Sequence, residues 1–129
     1  DLQVGDRADH GRLAALMARG GQAGRARERQ VAKRLRAQGW ITMKGTSYGV
    51  ADLCALKLGE IPMLIEVKST AGGPYERFQP ADRDELSAAA FAAGAVAVLA
   101  YWPPRGTLRL IPESEWPTKG KAHAEGRAA

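Results

Sequence analysis

The chain has 129 residues, 45% hydrophobic and 26% charged, with a formal net charge of +5. That length makes one domain with a real core and leaves no room for a second. A single cysteine, Cys54, excludes an internal disulfide framework and suits a reducing, cytoplasmic setting; His10 and His123, far apart, give no zinc-ligand spacing; no apolar run reaches membrane-span length, and no signal-peptide pattern opens the chain.

In chain order, residues 1–24 read as an appendage. A short helix is predicted at Asp9–Arg19, with Leu13, Leu16 and Met17 on one side, then a flexible joint at Gly20, Gly21 and Gly24. The first strong helix is predicted over Arg25–Gln38, stopped by Gly39. Val31, Ala32 and Leu35 fall three, four and seven residues after Glu28, so the segment's one acid shares their buried stripe. A carboxylate there needs a cation, a hydrogen bond or a metal. Arg25 or Arg29 on the same helix is the plain partner. Arg25, Arg29, Lys33 and Arg36 run down another face, and eight Lys or Arg between Arg19 and Lys44 form a footprint suited to a polyanion such as DNA.

A short strand at Trp40–Lys44 and a turn at Gly45–Gly49, carrying Thr46 and Ser47, lead to a hairpin. Its strands are Val50–Leu56 and Met63–Val67, joined through Lys57–Pro62. Period-two alternation sends Met63, Ile65 and Val67 to one face and Leu64, Glu66 and Lys68 to the other. Glu66 and Lys68 are then neighbours, with Asp52 on the adjoining strand. Two carboxylates and an ammonium in this arrangement suit a hard divalent cation such as Mg²⁺, with Mn²⁺ as a substitute, and a water for hydrolysis. Taken alone, the same three residues also read as an ordinary surface pair and a strand-end acid.

The loop Ser69–Pro80 carries Tyr75, Arg77, Phe78 and Gln79, side chains suited to bases and phosphates, although Phe78 fits the core equally. A second helix is predicted over Ala81–Ala93, with Asp82, Asp84 and Glu85 in its first turns, Gly94 as its stop, and a smooth face of Leu86, Ala89, Ala90 and Ala93. Ala95–Trp102 reads as a buried strand, Pro103–Gly106 as a turn and Leu108–Ile111 as a last strand, with Trp116 anchoring the end. The division is residues 1–24 as appendage and joint, 25–117 as the catalytic domain, and 118–129 as a basic, disordered tail.

The motifs ERQVAKRLRAQGW around Glu28, GTSYGVADLCAL around Asp52 and LIEVKST around Glu66, in this order, resemble the PD-(D/E)XK nuclease superfamily. More narrowly they are similar to the archaeal-type Holliday junction resolvases and their phage relatives, over about Gly24–Ile111. The resemblance implies an α/β, restriction-endonuclease-like core (αβββαβ) with a mixed central sheet flanked by helices. It also implies Glu28, Asp52 and Glu66 as metal-holding residues and Lys68 as the catalytic lysine. Ser47 falls near a functional serine of some resolvases, Lys44 adds to the DNA-binding set, and Ala51 replaces the proline that names the superfamily motif.

The resulting expectation is an Mg²⁺-dependent endonuclease acting on branched DNA, foremost a four-way junction, as a homodimer because symmetric cuts need two sites. It calls for no nucleotide cofactor and no membrane. Arg- and Ala-rich composition points to a phage of a high-GC bacterium, hence the host cytoplasm. A related nuclease for flaps, nicked or single-stranded DNA, and a DNA-binding module that does not cut, stay open as alternatives.

Overall fold

A computed structural model describes residues 24–45 and 49–117. The expectations for residues 1–23, for Thr46 and Ser47, and for the tail after Pro117 lie outside the described residues.

Helix α1 covers residues 24–37, and its three-and-four spacing of apolar positions buries Val31, Ala32 and Leu35. It ends where the chain reverses at Gly39, φ 95°. There the Gly39 N–H donates to the Arg36 carbonyl at 3.0 Å and the Trp40 N–H to the Leu35 carbonyl at 3.1 Å. These bonds satisfy carbonyls the helix leaves free, in a backbone conformation that strains any side chain.

Five strands follow, with one helix among them: β1 (Ile41–Lys44), β2 (Leu53–Leu56), β3 (Met63–Lys68), α2 (Pro80–Ala93), β4 (Val96–Tyr101) and β5 (Arg109–Pro112), then a 3₁₀ turn at Glu113–Glu115. They form one sheet in the order β1-β2-β3-β4-β5. The β1–β2, β2–β3 and β4–β5 pairs are antiparallel, whereas β3 and β4 are parallel because α2 carries the chain back between them. The sheet is therefore mixed.

Strand alternation divides the interior into two cores. On one face Leu53, Ala55, Ile65, Val67, Val98 and Ala100 pack with Val31, Ala32 and Leu35 of α1. On the other, Ala97, Leu99, Tyr101 and Ile111 meet Leu86 and Ala90 of α2, with Phe78 and Trp116. β4 contributes to both cores, which is why its sequence is an unbroken apolar run. Met63 packs on the α1 side and Leu64 on the α2 side, as their alternation predicts. Among the described residues no polar or charged residue is fully buried.

The two helices thus cover opposite faces, and Asp52 and Glu66 lie toward the end of the sheet formed by the C-terminal ends of β1 and β3. Among the described residues no helix is long and apolar enough to cross a membrane.

Candidate active site

Asp52 stands one residue before β2, although the sequence places it within the strand. The Val67 N–H donates to Asp52 Oδ2 at 2.8 Å, so the carboxylate takes the position of a strand carbonyl and the ladder ends there. Its backbone stays tied on both sides. The Asp52 N–H donates to the Ile65 carbonyl at 2.9 Å, and the Asp52 carbonyl accepts the Gly45 N–H at 2.8 Å. A Cβ at Gly45 would lie 1.9 Å from the Ala51 carbonyl oxygen, so this close approach of β1 to Asp52 requires glycine. One carboxylate oxygen is held by the β3 backbone, and the other is left for neighbours.

Those neighbours are Glu66 and Glu28. On β3 the Glu66 Oε2 lies 3.2 Å from Lys68 Nζ, both side chains part-buried. Asp52 and Glu66 open together into a cavity of about 190 Å³, lined also by Phe78, Asp82 and Glu85. Glu28, on α1, reaches Asp52 without lining that cavity.

The crowding of acids has an electrostatic signature. The Glu66 carboxyl is raised to about 7 by burial first and by the Asp52 charge second, against the opposing pull of Lys68. Glu28 is also raised to about 7, by burial, then by the charge of Asp52 and a hydrogen bond with it, while Lys44 and Arg25 oppose. The arginine partner expected for Glu28 therefore offsets only part of the cost.

Both folded values exceed the usual 4.5 of a free carboxyl. The metal-free fold then binds more protons than the unfolded chain between about 4.5 and 7, so this stabilising contribution is present in acid and lost as pH rises through neutrality. Glu66→Gln removes one of these groups. Its melting temperature relative to wild type is expected to climb as pH goes from 5 to 8 in chelator, which parallel thermal melts measure; a difference independent of pH would contradict the raised carboxyl.

A divalent cation suits this set of donors. Among the described residues no group of three or more His, Cys, Asp or Glu is placed to hold a metal ion. Mg²⁺ characteristically takes one or two protein carboxylates and keeps several waters, which matches Asp52 and Glu66 facing one small polar cavity. Glu28 stands beside the cavity and meets it through its contact with Asp52.

The residues expected to contact DNA separate into groups. Arg29, Lys33, Arg36 and Lys44 are exposed and Arg25 half-buried; the Arg36 guanidinium also donates to Thr42 Oγ1 at 3.0 Å, placing this flank of α1 beside β1. Arg77 is exposed, and Tyr75 is half-buried with the Arg83 guanidinium 5.3 Å from its ring centroid. The Gln79 side-chain amide is spent on the Tyr75 and Glu76 carbonyls, at 3.3 and 2.9 Å. Phe78 corrects the expectation of a stacking platform. It is 0% exposed and meets Trp116 edge-on at 4.9 Å, because its loop must close over the α2 core.

Asp82 and Glu85 are residues the sequence reading left outside the site. Their position in the first turns of α2 explains them as helix-dipole partners, and Asp82 Oδ2 does accept the Gln79 N–H at 3.0 Å. Their spacing of three puts both on the flank of α2 that lines the cavity.

No curated protein matches the chain. A crystal structure of Hjc, a Holliday junction resolvase from the archaeal hyperthermophile Archaeoglobus fulgidus, matches with a TM-score of 0.57 and 23% identity over 72% of this chain and 75% of that one, a likeness of fold. The model of the archaeal Holliday junction resolvase family, Hjc, matches residues 20–124. With its acids and lysine gathered at one end of a mixed sheet, and with that match across most of its length, the chain belongs to the archaeal Holliday junction resolvase family and is an endonuclease.

Proposed function

We propose that the protein resolves four-way DNA junctions as an Mg²⁺-dependent homodimer, with Mn²⁺ able to substitute. The observation that carries this reading is the pairing of Asp52 and Glu66 at one polar cavity, with Lys68 Nζ 3.2 Å from Glu66. Asp52 and Glu66 would hold the cation. When bound, it supplies a water activated for attack on phosphorus and positive charge for the phosphate oxygens.

The protein's own groups do the rest. The Val67 N–H fixes the orientation of Asp52, and Lys68 fixes that of Glu66 while presenting an ammonium to the scissile phosphate, where negative charge grows. Arg25, Arg29, Lys33 and Lys44 extend positive charge along α1 and the end of β1, suited to the backbone of a DNA arm. Junction cleavage at two symmetric positions needs two such sites, hence two copies. Exposed Ile41 and Met43 on the edge strand β1 leave an apolar strip suited to self-association. Acting on DNA junctions, the protein would work in the cytoplasm.

The test is cleavage of a labelled four-way junction and a linear duplex of matching sequence, with Mg²⁺, Mn²⁺ or chelator, alongside light scattering for mass. Paired symmetric nicks in the junction alone, lost in chelator and carried out by a dimer, are the expected result. Equal cutting of both substrates, or of a flap in preference, would leave a nuclease of different preference; binding without cutting would leave a DNA-binding module.

A further inference from the structure

Arg27, next to Glu28, lies on the flank of α1 opposite to Arg29, Lys33 and Arg36, and four of its five guanidinium N–H groups donate within the fold. Nε donates to Ser69 Oγ at 3.3 Å, and Nη2 to the Pro103 carbonyl at 2.9 Å and the Pro104 carbonyl at 3.4 Å. Nη1 donates to Gln30 Oε1 at 2.9 Å. The guanidinium carbon sits 4.5 Å from the centroid of the Trp102 ring, which Arg34 approaches at 5.0 Å. The planar fork of arginine allows all of these contacts at once, which an ammonium cannot reproduce.

The partners of Arg27 are the residues that bracket Lys68. Ser69 follows it directly, and the Trp102 N–H donates to the Lys68 carbonyl at 2.9 Å. Arg27 therefore bridges two pieces of the site that are distant in sequence, the helix turn carrying Glu28 and the end of β3 carrying Lys68. The apolar anchor of α1 begins only at Val31. Before that point the contact between Glu28 and Asp52 joins two acids whose charges repel, which makes it a weak hold on the turn. Arg27 supplies the attachment.

We propose that Arg27 is a positioning residue of the active site, clamping the first turn of α1 to the Ser69–Trp102–Pro103 corner and so setting where Glu28 stands relative to Asp52 and Lys68. The proposal rests on the nuclease reading of that site. It differs from a DNA-contact role, because four of the five guanidinium N–H groups already have acceptors within the protein.

The experiment compares Arg27→Ala and Arg27→Lys with wild type, each in Glu28 and Glu28→Gln backgrounds. Hydrogen exchange on the metal-free protein reads the clamp directly. Arg27→Ala is expected to raise exchange at residues 28–31, whose N–H groups bond to the carbonyls of residues 24–27, while the amides from Lys33 onward keep their protection, with Arg27→Lys in between. Exchange unchanged at residues 28–31 would overturn the clamp whether or not the protein cuts DNA. In single-turnover cleavage of a four-way junction, Arg27→Ala should slow the step by about tenfold to a hundredfold, the scale of an ångström-sized misplacement, at unchanged junction affinity. Arg27→Lys should recover part of the rate.

In the Glu28→Gln background the same change should cost little more, because both substitutions act through one residue. An equal loss in both backgrounds, or a loss confined to junction affinity, would overturn the positioning role. Failure of wild type to cut any junction would instead refute the nuclease reading, and the exchange result would still decide the clamp.

Discussion

Asp52→Asn is expected to abolish junction cleavage while leaving the fold and DNA binding in place. The two demands on this side chain are separable. As a structural acceptor it receives the Val67 N–H at 2.8 Å, and an asparagine carbonyl oxygen can take the same bond. As an anion it shares the cavity with Glu66 and contributes negative charge for a cation, which an amide does not. A loss of about a thousandfold or more in the cleavage rate, equal to about 4 kcal/mol of barrier, is the scale for removing such a ligand.

Asp52→Ala makes a harsher comparison, because it also leaves the Val67 N–H without its acceptor at a site tied to β3, at a cost of about 1–3 kcal/mol. Cleavage rates, junction affinity in chelator and thermal melts for the two variants separate these effects. Asp52→Asn should melt no lower than wild type, since it removes a charge that Glu28 and Glu66 face, and should keep junction binding while lacking cleavage. If Asp52→Asn cut junctions at near the wild-type rate, the assignment of Asp52 as a cation-holding residue would be wrong.

Much of this site was legible from residues alone, for identifiable reasons. Glu28 declared itself by sitting in phase with Val31, Ala32 and Leu35, since a carboxylate on an apolar stripe has to be accounted for. Glu66 and Lys68 declared themselves by strand alternation, and their 3.2 Å contact follows directly from being two apart on β3. The succession of helices and strands along the chain was carried by hydrophobic runs and by turn residues at the right distances. What was illegible depends on contacts distant in sequence. That Asp52 ends its strand cannot be read locally, because the cause is the backbone N–H of Val67, fifteen residues on.

Arg27 likewise looked like one more cation of a basic helix. Its contacts with Ser69 and Pro103, 42 and 76 residues away, turn it into part of the fold. The split between the flank of Arg27 and Arg34 on Trp102 and the solvent-exposed flank of Arg29 and Lys33 exists only once the helix is placed on the sheet. Asp82 and Glu85 were hidden by a sufficient local explanation, their fit to the helix dipole, which left nothing to prompt a second role.

Phe78 supplies the second large effect, and it separates two readings of one loop. A platform stacking on a base would make Phe78→Ala cost affinity, about 1–3 kcal/mol, and leave stability nearly untouched. The structure demands the reverse. The ring has no exposed surface, packs edge-on against Trp116 at 89° between planes, and sits with Leu86, Leu99 and Ile111 in the α2 core. Its removal deletes a buried aromatic and opens a void that β4 and α2 cannot readily close, at an expected cost of about 3–5 kcal/mol.

Against a typical total of about 5–15 kcal/mol, that is a large share of the stability of a domain this size. Trp116 has its indole N–H bound to the Ile111 carbonyl at 2.9 Å, so it is tethered and cannot swing far into the gap. Phe78→Leu, which refills part of the volume, should recover part of the loss. Urea unfolding of the three proteins, with junction affinity measured in chelator on the folded fraction at low temperature, decides between the readings. Lower midpoints at unchanged affinity are the expected outcome. Wild-type midpoints with weakened binding would return Phe78 to the DNA interface.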